Sequence, residues 1–247
     1  ADMQVKYRYT TLTTPSIPGF YGQSVLYDAP NDRLFVGSRS WGANPGGLTI
    51  INVQAGTKYG QLTDVGAVSL PNRYVWTVAF GKTTNTIYVA TEGGVGVYSV
   101  NPLSQITRYN FGSIPPILHT YDLDLVYDKD TDYMIVATWS GVSVVDVGHS
   151  KIVMNITKLN ENGAFPQNAI TDVLVDQSLG VALVPQYFGI VSIFNLTSSK
   201  IELNLTSAEF MGGHACTYIN KVLYSQERNW LFTACLSGNA PVHPGLG

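Results

Sequence analysis

The sequence is short of charge. Only 13% of its 247 residues are Asp, Glu, Lys or Arg, roughly half the share in an ordinary soluble domain. Its 14 basic residues are outnumbered by 17 acidic ones, for a formal net charge of −3, and no basic run occurs. This excludes a nucleic-acid backbone as partner, because phosphate recognition needs clustered cations. No apolar stretch approaches the roughly 18 residues that a membrane-spanning helix requires. The chain opens Ala1-Asp2-Met3 with no charged-then-apolar leader, so it reads as a chain without a signal peptide, as a mature form would be. No window carries helical periodicity over about ten residues. A nucleophile elbow, a spaced metal triad and a motif-placed pair of carboxylates are all lacking, so no catalytic residue is assigned.

What the sequence does have is a repeat. The apolar segments Arg33-Leu34-Phe35-Val36, Thr86-Ile87-Tyr88-Val89, Tyr133-Met134-Ile135-Val136, Val181-Ala182-Leu183-Val184 and Trp230-Leu231-Phe232-Thr233 end at intervals of 53, 47, 48 and 49 residues. A glycine follows four of them, as Gly94, Gly141, Gly189 and Gly238, while the first has a longer turn around Trp41 to Gly47. Eleven residues before each segment's last residue stands an apolar anchor: Val25, Val78, Leu125, Val173 and Val222. Polar turns such as Ala29-Pro30-Asn31-Asp32 separate the two runs, a hairpin signal. A third apolar run and a fourth, more polar one complete each unit. A single four-stranded sheet of this kind cannot bury both inner faces, and a period of 40–50 residues points to radial stacking.

The expected fold is therefore all-β: a β-propeller of four-stranded antiparallel blades, at least five, the last incomplete. A single domain over 1–247 is expected, with blades near 19–66, 72–112, 119–160, 167–208 and 215–247. Residues 3–11 are expected to act as a ring-closing outer strand, because Tyr7-Arg8-Tyr9 then Ser16-Ile17-Pro18 echoes Thr107-Arg108-Tyr109 then Ser113-Ile114-Pro115. The chain stops at Pro244-Gly245-Leu246-Gly247, where the third strand of blade five should begin. Two readings stay open there: further blades follow, or another subunit supplies the strand.

Thr86-Ile87-Tyr88-Val89-Ala90-Thr91-Glu92-Gly93-Gly94-Val95-Gly96-Val97-Tyr98 resembles the repeat of bacterial two-component-regulator propellers. Ser140-Gly141-Val142-Ser143-Val144-Val145-Asp146-Val147 is similar to the repeats of cell-surface propellers of the LVIVD and YVTN kinds. The resemblance implies a propeller, often at a cell surface, and brings no shared catalytic residues.

Loops from strand four into strand one, and from strand two to strand three, share one face of a propeller. Here they gather Tyr21, Arg73, Tyr74, Trp76, His119, Tyr121, Trp139, Tyr187 and His214. Aromatic rings with amide and charged neighbours suit a carbohydrate or a protein partner. Asp122, Asp124 and Asp172 lie at or near the position before an anchor and could hold Ca²⁺ in the channel; the alternative is that Lys221, at the same position in blade five, pairs with one aspartate. No other cofactor is expected. Asn155, Asn195 and Asn204 each open an N-glycosylation triplet. Cys216 and Cys235 flank the first hairpin of blade five, where a disulfide is geometrically feasible. Together these features place the chain outside the cell or on its surface. The function they favour is non-catalytic recognition or adhesion through the aromatic face. One alternative is a structural subunit of a filament or layer, self-assembling by strand exchange at blade five. A second is a metal-assisted hydrolase or lyase built on the His and Asp residues of the channel mouth.

Overall fold

The computed structural model describes residues 17, 19, 21–39, 46–109, 122–157, 165–166, 169–198, 200–206, 218–225, 227–228 and 230–236. Val, Ile, Thr and Tyr-rich runs between Gly, Pro, Asn and Asp turns become strands throughout, because branched and aromatic side chains fit a pleated, half-buried surface. The chain divides into two compact units, Ala1–Asn110 and Phe111–Gly247.

The first unit holds two four-stranded antiparallel sheets. One runs β1 (Tyr21–Asp28), β2 (Arg33–Arg39), β3 (Gly47–Asn52) and β4 (Thr57–Leu62). The other runs β5 (Val75–Phe80), β6 (Thr86–Thr91), β7 (Gly94–Val100) and β8 (Leu103–Tyr109). The second unit repeats the plan in β9 (Asp122–Asp128), β10 (Tyr133–Thr138), β11 (Gly141–Asp146) and β12 (Lys151–Ile156), then in β13 (Leu174–Asp176), β14 (Val181–Gln186), β15 (Ile190–Asn195) and β16 (Lys200–Thr206). The fifth blade contributes β17 (Tyr218–Ser225) and β18 (Trp230–Leu236) among the described residues. One 3₁₀ turn, Ala29–Asn31, joins β1 to β2. No helix among the described residues is long and apolar enough to cross a membrane.

The second and third strands of a blade are buried on both faces because successive sheets stack face to face. In the first unit Phe35, Leu48 and Ile50 meet Val78, Ile87 and Val89 in one core. In the second unit Ile135, Val142 and Val144 meet Ile170, Ala182 and Val184. A smaller core of Leu183, Val191, Ile219 and Val222 joins the fourth blade to the fifth. The fourth strands are built mostly of exposed and half-buried residues, as outer strands should be.

The repeating glycine has a backbone cause. Gly94 and Gly141 open the third strand with φ of 123° and 143°, where an L side chain is strained. The two-residue turns before them are closed by a threonine: the Thr91 hydroxyl donates to the Gly94 carbonyl at 2.8 Å, and the Thr138 hydroxyl to the Gly141 carbonyl at 3.0 Å.

Two β-bulges recur from blade to blade. Between strands three and four the register shifts at Ile50/Ile51, Val97/Tyr98, Val144/Val145 and Ile193/Phe194. Between strands one and two, Gln23, Trp76, Leu123 and Asn220 drop out of the pairing, each two residues before its anchor. A bulge interrupts the ladder and re-aims the next side chain. In three blades the residue just before the anchor reaches the neighbouring blade. Ser24 Oγ accepts the Val78 N–H at 3.2 Å. Asp124 Oδ2 accepts the Val173 N–H at 3.4 Å, and Asp172 Oδ2 the Val222 N–H at 2.9 Å. The far end of strand one is tied as well. Arg33, ion-paired with buried Asp28 at 2.6 Å, donates to the Thr84 carbonyl of the next blade at 3.3 Å. Gln177 donates to Asp128 of the preceding blade at 3.0 Å.

Close packing leaves no room for a methyl group at Gly96, where an added Cβ would stand 2.3 Å from the Tyr98 hydroxyl. That ring is buried and donates to the Ser69 carbonyl at 2.8 Å. Gly96→Ala should therefore destabilise the first unit by about 1–3 kcal/mol, read as a lowered thermal midpoint. Gly22→Ala, which meets nothing within 4 Å, should stay within about 0.5 kcal/mol of the parent.

Candidate functional site

Aromatic rings gather at the strand ends of each unit, and the second unit also holds a group of charges before its anchors.

In the first unit, Tyr21 begins β1 and pairs with Arg39 at the end of β2. The Arg39 guanidinium lies 4.7 Å from the centre of the Trp76 ring and 5.8 Å from that of Tyr21. Arg73 lies 5.3 Å over Tyr74, whose carbonyl accepts the Glu92 N–H at 3.3 Å. Burial raises the Glu92 carboxyl above its ordinary value, while Arg39 and Arg73 pull it back down. Guanidinium over an aromatic face is favourable when partly desolvated. The first unit thus presents a cation–aromatic cluster with one carboxylate.

In the second unit the same positions are uncharged. Trp139 sits at the β10–β11 turn, Tyr187 and Phe188 at the β14–β15 turn, and Tyr218 at the start of β17. Tyr187 lies at the centre, 5.9 Å from Trp139, 5.4 Å from Phe188 and 4.2 Å from Tyr218 between ring centroids. Trp139 is 48% and Phe188 54% exposed. The neighbouring backbone donors are already used: Ser140 N–H by Thr138 Oγ1, Tyr187 N–H by the Ala169 carbonyl, and Gly189 N–H by the Gln186 carbonyl.

Of the nine ring and histidine candidates, Tyr21, Arg73, Tyr74 and Trp76 come together in the first unit, and Trp139 with Tyr187 in the second. His119, Tyr121 and His214 lie outside the described residues. Sequence reasoning missed Tyr218, although it carried a signal. Tyr21, Tyr74, Tyr121 and Tyr218 each stand four residues before their anchors. Arg39, Glu92, Trp139 and Tyr187 likewise each stand three residues after the last residue of the second strand's apolar segment.

The charged group is a triad. Lys221 Nζ lies 2.5 Å from Asp172 Oδ1 and 3.0 Å from Asp124 Oδ2. The carboxylate side chains are only 8% and 5% exposed, whereas the lysine side chain is 60% exposed. The lysine pairs with both aspartates, where the sequence suggested one. The side chain of Asp122 lies outside the described residues, and no group of three metal-ligating side chains occurs among the described residues. One ammonium cannot neutralise two buried carboxylates. Burial, with the hydrogen bond and charge of Asp124, pushes the Asp172 carboxyl up to about 8 against the pull of Lys221. Burial lowers the Lys221 ammonium, but the two carboxylates outweigh it and its pKa is raised.

An apolar groove of about 440 Å³ opens between the fourth and fifth blades. Leu183, Ile193, Leu205, Tyr224 and Leu231 line it, with Asp176 and Glu202 at its polar margin. The same apolar residues belong to the blade four–five core, so the groove is the uncovered outer part of that core.

Stacked four-stranded antiparallel blades of this kind define a β-propeller. Solved structures similar to the chain bear this out. Hydrazine synthase of Kuenenia stuttgartiensis aligns with a TM-score of 0.66 at 13% identity, over 92% of this chain and 58% of the other. The extracellular domain of a protein assigned as a hybrid two-component system of B. thetaiotaomicron aligns with a TM-score of 0.68 at 15% identity, over 91% and 27%. That of a protein assigned as a one-component system of the same organism aligns with a TM-score of 0.65 at 17% identity, over 87% and 28%. The chain spans about a quarter to three-fifths of these proteins, and at such identities the likeness shows the fold alone. No family model matches the sequence, including those of the propeller repeats it resembles, and no curated protein matches it either.

The triad sets a pH dependence. Asp172 keeps its proton in the folded protein at a pH where the unfolded side chain, near 3.8, has lost it. That contribution is complete below about pH 4 and disappears as pH rises through about 8. Lys221, also raised, acts in the same direction at higher pH. Asp172→Asn cannot titrate, so the thermal midpoint of the parent, measured relative to this variant, should fall between pH 4 and pH 8. Lys221→Met leaves both carboxylates without their cation and should lower stability by about 1–3 kcal/mol near neutral pH, an effect that shrinks in acid. Addition of EDTA should leave the parent's midpoint unchanged.

Proposed function

We propose that the protein is a non-catalytic extracellular or cell-surface propeller that recognises a carbohydrate or protein ligand through its loop face. The single observation behind this reading is the aromatic cluster around Tyr187, in which Trp139 and Phe188 stay about half exposed. Large rings held in place by ring-to-ring packing lose little entropy on contact and supply the apolar part of a recognition surface. The extracellular domains among the similar folds support the location without naming a ligand for this chain. The same location suits a Cys216–Cys235 disulfide, which intact mass under reducing and non-reducing conditions would detect. The hydrolase or lyase reading needs Asp124 and Asp172 to hold a metal, and both already hold Lys221.

A second reading has one observation in its favour. The apolar groove beside β18 suits a structural subunit whose fifth blade is completed by a strand from another copy. Sedimentation of the native protein separates the two readings: polymers support the subunit, and a monomer with a bound ligand supports recognition.

Trp139→Ala with Phe188→Ala tests the leading reading on a glycan microarray and a panel of secreted proteins. The parent should bind at least one probe, and the double variant should lose about tenfold or more in affinity with an unchanged thermal midpoint. Binding that survives the double substitution would contradict it, as would turnover of the bound probe.

A further inference from the structure

The three N-glycosylation triplets place their asparagines in two different settings. Asn155 lies in β12 and Asn204 in β16, and they face Ser143 and Ser192 of the adjacent third strands. Both serines are fully buried. Ser143 Oγ donates to Asn155 Oδ1 at 2.8 Å, and Ser192 Oγ donates to Asn204 Oδ1 at 2.5 Å. Gln186 Nε2 in turn donates to Ser192 Oγ at 2.6 Å. In two successive blades, then, the carboxamide is turned towards a buried hydroxyl and forms part of the sheet's internal polar wiring. A glycan on Nδ2 there would have to leave from a half-buried side chain whose carbonyl end is pinned to a buried serine, or the side chain would have to swing out and leave the serine hydroxyl without that acceptor.

Asn195 is half-buried like the other two but stands at a strand end, with its carboxamide facing the turn and the surface. It ends β15 and opens the turn to β16. Its Oδ1 accepts the backbone N–H groups of Thr197 at 2.9 Å and Ser198 at 2.8 Å, which holds the carboxamide across the turn. Its Nδ2 donates to Glu202 Oε1 at 2.7 Å, an exposed contact that water can replace at little cost. Thr197, whose hydroxyl completes the triplet, is exposed.

We infer that Asn195 is the N-glycan acceptor of this chain and that Asn155 and Asn204 are not. The inference rests on the extracellular reading for its compartment. In the reaction, Asn195 Nδ2 forms a bond to the anomeric carbon of an oligosaccharide. The anomeric C–O bond to a lipid diphosphate donor breaks, the amide gives up one proton, and the lipid diphosphate leaves with the bonding pair. The glycan would stand on the turn between the third and fourth strands of blade four, at the end of β15 away from Tyr187 and Phe188.

The test is to express the full chain behind a cleavable secretion leader in eukaryotic cells, remove glycans enzymatically in H₂¹⁸O, and map ¹⁸O-labelled aspartate by peptide mass spectrometry. Label should concentrate at position 195. Asn195→Gln should remove the glycan mass, and Asn155→Gln and Asn204→Gln should leave it in place. Absence of label at 195 overturns the inference, as does occupancy at 155 or 204 equal to that at 195. The supplied leader makes this outcome independent of where the native protein resides. Fractionation of native cells tests the location separately: native protein found inside the cell would defeat the extracellular reading and leave the acceptor preference standing.

Discussion

The bond on which the blade stack depends leaves the first, third and fourth sheets just before the anchor. In Ser24, Asp124 and Asp172 a side-chain oxygen takes the anchor N–H of the next blade, Val78, Val173 and Val222. For Ser24 and Asp124 a bulge two residues before the anchor interrupts the ladder and turns the side chain towards the neighbouring sheet, whereas Asp172 stands in the segment just before β13. Hydrophobic contact between faces such as Ile135 and Ala182 supplies the driving force but little direction. The directional bond sets how far one sheet slides past the next. It also fixes the strand ends from which the rings of the loop face project.

Charge modifies this device in the second unit. Ser24 performs the task with a neutral hydroxyl, whereas Asp124 and Asp172 perform it with carboxyl groups buried side by side. Two buried carboxylates repel each other and have lost their hydration. Lys221, at the equivalent position of the fifth blade, offsets one of them, and the proton held by Asp172 offsets the other. Three successive blades are thereby linked by one network, in which the interblade bonds and the ion pairs share the same oxygen-bearing side chains.

Much of this was legible in the sequence. The spacing of Val36, Val89, Val136, Val184 and Thr233 marks the second strands, and Gly94, Gly141 and Gly189 mark turns whose φ only glycine adopts easily. Four strands per blade followed from the switch between doubly buried and alternating runs. The bulges were not legible, because a single extra residue such as Gln23 or Asn220 leaves the apolar pattern on either side intact. The lysine's double pairing was half legible: Lys221 stood at the right repeat position, but only the geometry shows both oxygens within its reach. Tyr218 was missed, although the four-residue offset shared with Tyr21 and Tyr74 marks it. The inward turn of Asn155 and Asn204 depends on cross-strand register with Ser143 and Ser192, which no triplet pattern contains.

The loop face is the part of the molecule that the repeat leaves free to vary. The residues at the strand ends change from Arg39 and Glu92 in the first unit to Trp139 and Tyr187 in the second, while the four-stranded plan beneath them repeats. Amide hydrogen exchange at Val78, Val173 and Val222 tests the interblade bond most directly. These three N–H groups should be among the slowest to exchange in the folded protein, and Ser24→Ala should speed exchange at Val78 while leaving Val222 protected. Exchange at these anchors as fast as in the turns, or protection of Val78 that survives loss of the serine hydroxyl, would contradict the account.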